Sequence, residues 1–112
     1  MLTESPFPEK QKIVESEFAY AIYDAFPVSP GHALIVPRRI VADYLDLEFA
    51  EKQAMWKLVE DVRLLLMSSF KTKDFNIGIN CGEHAGQTSG HVHIHLIPRY
   101  PGDTPNPRGG VR

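Results

Sequence analysis

The sequence predicts an α+β fold with a mostly antiparallel sheet. Short apolar and aromatic segments bounded by Pro and Gly lie on both sides of one long stretch, residues 47–70, that contains neither breaker. The last apolar segment, His91-Val92-His93-Ile94-His95-Leu96-Ile97-Pro98, alternates histidine with aliphatic residues. Strands, one long helix and then strands again sort into α+β rather than into an alternating parallel architecture.

Residues 1–12 are polar and contain proline, which predicts a flexible arm. Phe18-Ala19-Tyr20-Ala21-Ile22-Tyr23 reads as a strand because apolar and aromatic residues dominate it. Asp24 to Gly31, with Pro27 and Pro30, is a turn, and His32 to Pro37 is a second strand closing a hairpin. Arg38 to Asp46 is a connection with room for a short helical turn. A helix follows over Leu47 to Phe70, where Phe49, Trp56, Val59, Leu66 and Phe70 recur at helical spacings and predict a core stripe. Asp46 is the expected N-cap. Phe75 to Asn80 alternates as a strand, Cys81 to Gly90 is a Gly-containing loop, and His91 to Pro98 is the final strand. The tail, 103–112, is rich in Gly and Pro and predicts a second flexible arm.

The chain has 112 residues, which fits one domain over 1–112 with a modest core. Its 43% hydrophobic and 23% charged residues are ordinary for a soluble globular protein. No apolar run reaches the length of a membrane span, and no basic-then-apolar leader opens the sequence. The single cysteine, Cys81, excludes an internal disulfide and fits a reducing cytoplasm. A net charge of −2 argues against general nucleic-acid binding and leaves room for a small anionic ligand held by local donors.

A strand has a side-chain period of two, so His91, His93 and His95 are expected on one face, with Val92, Ile94 and Leu96 on the other. Three readings compete. The first is a zinc site, because His-x-His on a strand can supply two ligands. Against it, three alternate positions on a straight strand span more than about 12 Å, and no Cys-x-x-Cys or His-Glu-x-x-His accompanies them. The second is structural: hydrogen-bonded histidines in a polar interior. The third is nucleophilic catalysis at phosphorus. A neutral imidazole is a good nucleophile near pH 7, and the central His93 has a neighbour on each side to orient it. Gly86-Gln87-Thr88-Ser89, immediately upstream, offers backbone N–H groups and hydroxyls suited to a phosphate. Other residues have plainer readings. His84 is a solvated loop residue, Cys81 lacks an activating partner, and Trp56 and Phe70 are core. Arg38 and Arg39 form a solvated pair. Arg99 and Arg108 are near enough to the motif to be candidate substrate contacts.

Gly86 through Arg99 is similar to the signature of the histidine-triad (HIT) superfamily, whose members bind nucleotides and hydrolyse or transfer nucleotidyl groups. Pro30-Gly31-His32-Ala33-Leu34-Ile35-Val36-Pro37 resembles an earlier strand of that family. Asp24 sits where the family holds ribose hydroxyls, and Asn80 where it has an asparagine near the site. The resemblance extends from about residue 15 to residue 102. It implies a five-stranded antiparallel sheet with one long helix and a short helix, a homodimer, and no required cofactor, with a divalent cation such as Mg accompanying a polyphosphate substrate. By the same resemblance His93 is the nucleophile, His95 donates to the α-phosphate, and the His91 carbonyl fixes the His93 tautomer. Gln87 with Thr88 or Ser89 contacts phosphate or leaving group, His32 buttresses the triad, and Asp24 contacts ribose. An Asp there would also serve simply to cap the turn. The continuation Pro98-Arg99-Tyr100-Pro101-Gly102-Asp103 looks closer to the Fhit-like branch. The implied function is a nucleotidyl hydrolase or transferase acting at the α-phosphate of dinucleoside polyphosphates or related adenosine nucleotides. The alternatives are a nucleotide-binding regulatory or scaffold protein, a nucleoside phosphoramidase, and a metal-binding module.

Overall fold

The computed structural model describes residues 12–108. Five strands, β1 (Lys12–Glu15), β2 (Ala19–Tyr23), β3 (Ala33–Pro37), β4 (Asp74–Ile79) and β5 (Ile94–Arg99), form one sheet in the order β1-β2-β3-β5-β4. Every neighbouring pair is antiparallel. One helix, α1 (Phe49–Phe70), packs on one face, and a short 3-10 turn at Tyr44–Asp46 sits in the connection before it.

Residue pairing sorts the side chains between the faces. Ala19, Ala21, Ala33, Ile35, Ile94 and Leu96 are buried in one cluster with Met55, Leu58, Val59, Val62 and Leu66 of α1. Phe75, Ile77 and Ile79 of β4 join it at its edge. Tyr20, Ile22, Leu34 and Val36 alternate with these residues and make a smaller cluster on the opposite face. On that opposite face, Leu34 pairs with His95, and His95 with Gly78. The sheet therefore presents histidine where its other side presents aliphatic core.

Several expectations are revised. The arm expected over 1–12 gives way at Lys12 to β1, a half-exposed edge strand with a register shift between Lys12 and Val14, which explains its weak apolar signal. Residues 1–11 and 109–112 of the expected arms lie outside the described residues. At the start of the other expected arm, Asp103 is tied to Arg99 by contacts of 2.9 and 3.0 Å. Helix α1 begins at Phe49. Asp46 belongs to the short turn capped by the Asp43 side chain, while the Glu48 N–H donates to Glu51 Oε1 at 2.7 Å. The core stripe of α1 runs through Met55, Leu58, Val59, Val62 and Leu66 at steps of three and four. Phe49 and Trp56 fall off that stripe and are 74% and 39% exposed, not core. Arg38 and Arg39 are not a bare solvated pair: they bind Glu15 and the buried Glu51.

The entry to β3 depends on one glycine. Gly31 has φ 89°, and a Cβ there would lie 3.0 Å from the Phe70 ring and 3.1 Å from Pro98. Any side chain would push the end of α1 away from β5 and strain the backbone as well. This packing fixes His32 at the head of β3. Among the described residues no helix is long and apolar enough to cross a membrane.

Candidate active site

The three histidines do not all lie on β5. The strand begins at Ile94, so His91 and His93 precede the ladder. Segment 91–93 is drawn across to the connection after β3, where the Val92 N–H donates to the Val41 carbonyl at 2.7 Å. His91 and Val92 are consequently both buried, which strict alternation forbids. His91 is a buried anchor: its Nε2–H donates to the Pro37 carbonyl at 2.8 Å, and burial holds its pKa below the ordinary value. His93 and His95 remain together, with ring centroids 4.8 Å apart and nearly edge to face.

The hydrogen bonds fix which ring nitrogen carries each proton. A carbonyl only accepts, so His93 Nδ1, 2.9 Å from the His91 carbonyl, is the protonated nitrogen and Nε2 keeps its lone pair. A backbone N–H only donates, so His32 Nδ1, 3.0 Å from the Val28 N–H, is the acceptor and Nε2 carries the proton. His32 Nε2–H lies 3.0 Å from His95 Nδ1 and donates to it. His95 in its neutral form must then carry its proton on Nε2. Burial, then His93 and His32, push the His95 pKa down to about 4, so at neutral pH it is an uncharged donor. The His32 pKa is lowered chiefly by burial, with Asp24 acting against that.

A cavity of about 320 Å³ adjoins these groups, lined by Asp24, Leu34, Asn80, Gly86, Gln87, Thr88, Ser89, His93 and His95. Each of these side chains except Leu34 was singled out from the sequence or belongs to the loop that was. The structure thus gathers His93, His95, Asp24, Asn80, Gln87, Thr88 and Ser89 around one space, with His32 directly behind His95. His91 acts at one remove through its carbonyl. Among the described residues no Arg or Lys lines this cavity, so the donors it offers an anion are uncharged.

Hydrogen bonds within the protein already engage four of the residues singled out from the sequence. Both amide hydrogens of Gln87 are donated to main-chain carbonyls, of Ala42 and of Ser89, each at 2.9 Å, while its Oε1 accepts from the Gly82 N–H at 2.8 Å. Gln87 is here a staple of the 82–89 loop and not a ready donor to a leaving group. The Ser89 hydroxyl accepts from the His91 N–H at 3.1 Å and so braces the backbone that holds His93. Asp24 divides its carboxylate: Oδ1 caps the turn through the Phe26 N–H at 2.9 Å, and Oδ2 lies 3.5 Å from His32 Nε2. Arg99, paired with Asp103 and Asn76, is no spare phosphate ligand. Sequence reasoning missed the Val28 N–H and the Ala42 carbonyl. Main-chain groups are the same at every residue, so no sequence signal marks them.

Asp24, His32 and His95 also place one ligand atom each within 4.8 Å of the others. This trio does not fit a metal. The Val28 N–H occupies the His32 Nδ1 lone pair, so Nε2 must hold the proton, and a metal there would have to break that bond or make the ring an imidazolate.

A small antiparallel sheet backed by one helix, with paired imidazoles lining a cavity, defines a class that comparison with known proteins specifies. The family model described as the HIT domain matches residues 7–102, and the chain belongs to the HIT family. It is 38% identical over 89 residues to an uncharacterised HIT-like protein of Mycoplasma genitalium, covering 80% of this chain and 63% of that protein. It is 36% identical over 92 residues to a bis(5'-adenosyl)-triphosphatase of Saccharomyces cerevisiae, covering 81% of this chain and 45% of the relative. The solved structure of Plasmodium falciparum diadenosine triphosphate hydrolase, in complex with cyclomarin A, superposes with a TM-score of 0.85 at 30% identity, over 92% of this chain and 70% of that one. The chain thus spans less than two thirds of the length of the two curated relatives.

Proposed function

We propose that the protein hydrolyses dinucleoside polyphosphates at the α-phosphate through a covalent nucleotidyl-histidine. The observation that carries this reading is the opposed pair of imidazoles. His93 has an Nε2 lone pair, and His95, neutral and fixed by His32, has an Nε2–H, and both rings line one cavity. In the first step the Nε2 lone pair of His93 attacks the α-phosphorus. A P–N bond forms, the P–O bond to the bridging oxygen breaks, and the electron pair leaves with the nucleoside phosphate. In the second step water attacks phosphorus, the P–N bond breaks, and the water proton passes to solvent. His95, Asn80, Thr88 and the main chain of the 86–90 loop supply neutral donors to the phosphoryl oxygens. Asp24 is placed to accept from a ribose hydroxyl.

That no Arg or Lys among the described residues lines the cavity has a consequence for the substrate. A polyphosphate chain brings more negative charge than neutral donors balance, so it is expected to enter complexed with a divalent cation such as Mg²⁺. The yeast and Plasmodium relatives, by their names, act on diadenosine triphosphate, which supports this substrate class. The homodimer belongs to the same reading: β4 is an edge of the sheet, and Phe49 and Trp56 are exposed on α1.

The test is turnover of diadenosine triphosphate to AMP and ADP, with acid-quenched mixtures assayed for an acid-labile adduct at His93. Binding without turnover would favour the scaffold reading. Faster cleavage of an adenosine phosphoramidate would favour the phosphoramidase.

A further inference from the structure

The end of β5 and the turn after it, Pro98 to Asp103, take no part in the steps above, yet they are tied to a segment that does. That segment, 24–31 between β2 and β3, carries the Val28 N–H. Its bond to His32 Nδ1 leaves the His32 proton on Nε2 and, through His32, the His95 proton on Nε2. The chain of donors therefore has a direction, and it starts at a main-chain group on a loop.

Phe26 and Val28 are 88% and 69% exposed, so apolar burial does not fix the tip of this loop. Polar bonds from the end of β5 hold the residues next to it. The buried Ser29 donates its hydroxyl proton to the Pro98 carbonyl at 2.5 Å, and the Tyr100 hydroxyl donates to the Pro30 carbonyl at 2.6 Å. Tyr100 is itself braced: Asp103 accepts from its N–H at 3.0 Å and from the Arg99 guanidinium. Asp24 Oδ2, 3.5 Å from His32 Nε2, favours the same His32 tautomer, but Asp24 opens the same loop and its Oδ1 holds the Phe26 N–H. Without the Val28 N–H the relay is free to reverse. His32 then carries its proton on Nδ1 and accepts at Nε2, His95 donates from Nδ1, and His95 Nε2 presents a lone pair in place of a donor.

We propose that Ser29 and Tyr100 are positioning residues, which clamp the loop between β2 and β3 to the end of β5 so that the Val28 N–H fixes the tautomers of His32 and His95. The consequence for catalysis rests on the hydrolase reading above; the tautomers themselves do not.

The test reads the tautomers directly, by long-range 1H–15N correlation NMR of the imidazoles at about pH 8, above the ordinary histidine range. The wild-type protein should carry protons on Nε2 of His32 and His95 and on Nδ1 of His93. In the double variant Ser29→Ala, Tyr100→Phe, the Nδ1–H form should appear in His32 and His95 together. His93 should keep its tautomer, because its partner is the His91 carbonyl. Val28→Pro deletes the N–H and should show the same shift more fully, whereas Val28→Ala keeps the N–H and should keep the wild-type tautomers. Tyr100→Phe alone removes one hydroxyl and should give a smaller shift in the same direction, which is read if the double variant does not fold. With diadenosine triphosphate the double variant should lose kcat about tenfold, with KM changing less, since the His95 donor acts as charge builds on the phosphoryl oxygens. Wild-type tautomers in the double variant, or a change that spreads equally to His93, overturn the clamp even if the variant melts earlier. Shifted tautomers with an unchanged kcat overturn its catalytic part. If the wild-type protein does not cleave diadenosine triphosphate, the hydrolase reading fails, and the NMR result still decides the clamp.

Discussion

On the helix side of β5, Ile94 and Leu96 are fully buried among aliphatic side chains of α1, β2 and β3. On the other side, His95 and Ile97 with the preceding His93 border open cavities, and the two imidazoles are held by hydrogen bonds of defined direction. The same strand thus meets two kinds of constraint. The first face needs volume and accepts any good aliphatic fit, because apolar burial has no direction. The second needs particular atoms in particular protonation states. Burial disfavours the charged forms of His32 and His95 there, so order at this face serves chemistry more than stability.

Exchanging the damage between the faces tests this division most strongly. His93→Ala should lower kcat/KM for diadenosine triphosphate by at least about a thousandfold, since the covalent route is deleted. Its thermal midpoint should move little, because the ring is half-exposed and outside the core. Ile94→Ala, one residue away and fully buried, should cost about 2–5 kcal/mol of stability. Its kcat at a temperature where it is folded should stay within about tenfold of wild type. Calorimetry and steady-state kinetics on the two variants check the contrast. A large stability loss in His93→Ala would mean that the histidine side also carries the fold.

A smaller effect is expected at Gln87, and it separates two roles. If its amide acts as a staple, Gln87→Ala loosens the 82–89 loop and displaces Thr88, Ser89 and the His91 backbone together. Cleavage of a phosphoanhydride and of a phosphoramidate should then slow by similar factors, about tenfold to a hundredfold. Hydrogen exchange at Gly82, whose N–H loses its acceptor, should speed up in the same variant. Selective slowing of the anhydride, with unchanged exchange, would restore Gln87 to direct contact with the leaving oxygen.

The two faces were also unequally legible. The helix side followed from pattern: residues 47–70 without a breaker predicted α1, apolar runs bounded by turn residues predicted β2 and β3, and alternation predicted β4 and the body of β5. Its errors were of phase, since Phe49 and Trp56, although seven apart and with Trp56 three from Val59, fall at the margin of the helical face centred on the Met55–Leu66 stripe. The edge strand β1, short, bulged and half-exposed, had too little apolar content to register. On the histidine side the residue types announced a site, and His93, His95, Asp24 and Asn80 do line one cavity. The departure of His91 from the strand was not legible, because it is made by bonds from the His91 side chain and the Val92 N–H to the main-chain carbonyls of Pro37 and Val41, in a distant part of the sequence. Neither was the occupation of Gln87, whose carbonyl partners carry no side-chain signature.

The smallest expected effect is in the pH dependence of stability, and its sign follows from the depressed histidines. In the unfolded chain His32, His91 and His95 take up protons near the ordinary value of about 6.5. In the folded protein all three resist protonation, and His95 does so down to about 4. Between those values the unfolded state binds more protons, so stability rises with pH across this window. The contribution is fully present above about pH 6.5 and is lost as pH falls toward 4. Thermal midpoints should therefore drop by several degrees between pH 7.5 and pH 5, before the carboxylates Glu15, Glu51 and Asp103, whose pKa values are lowered by their arginine partners, begin to protonate. His95→Asn tests the assignment. Its amide oxygen can still accept from His32 and its amide nitrogen can still donate into the cavity, but it does not titrate. The variant should show a shallower slope of midpoint against pH than the wild type, while Ile94→Ala, on the aliphatic side of the same strand, should be less stable at every pH with an unchanged slope. A parallel shift in both variants would place the acid sensitivity elsewhere than on the histidine side of the sheet.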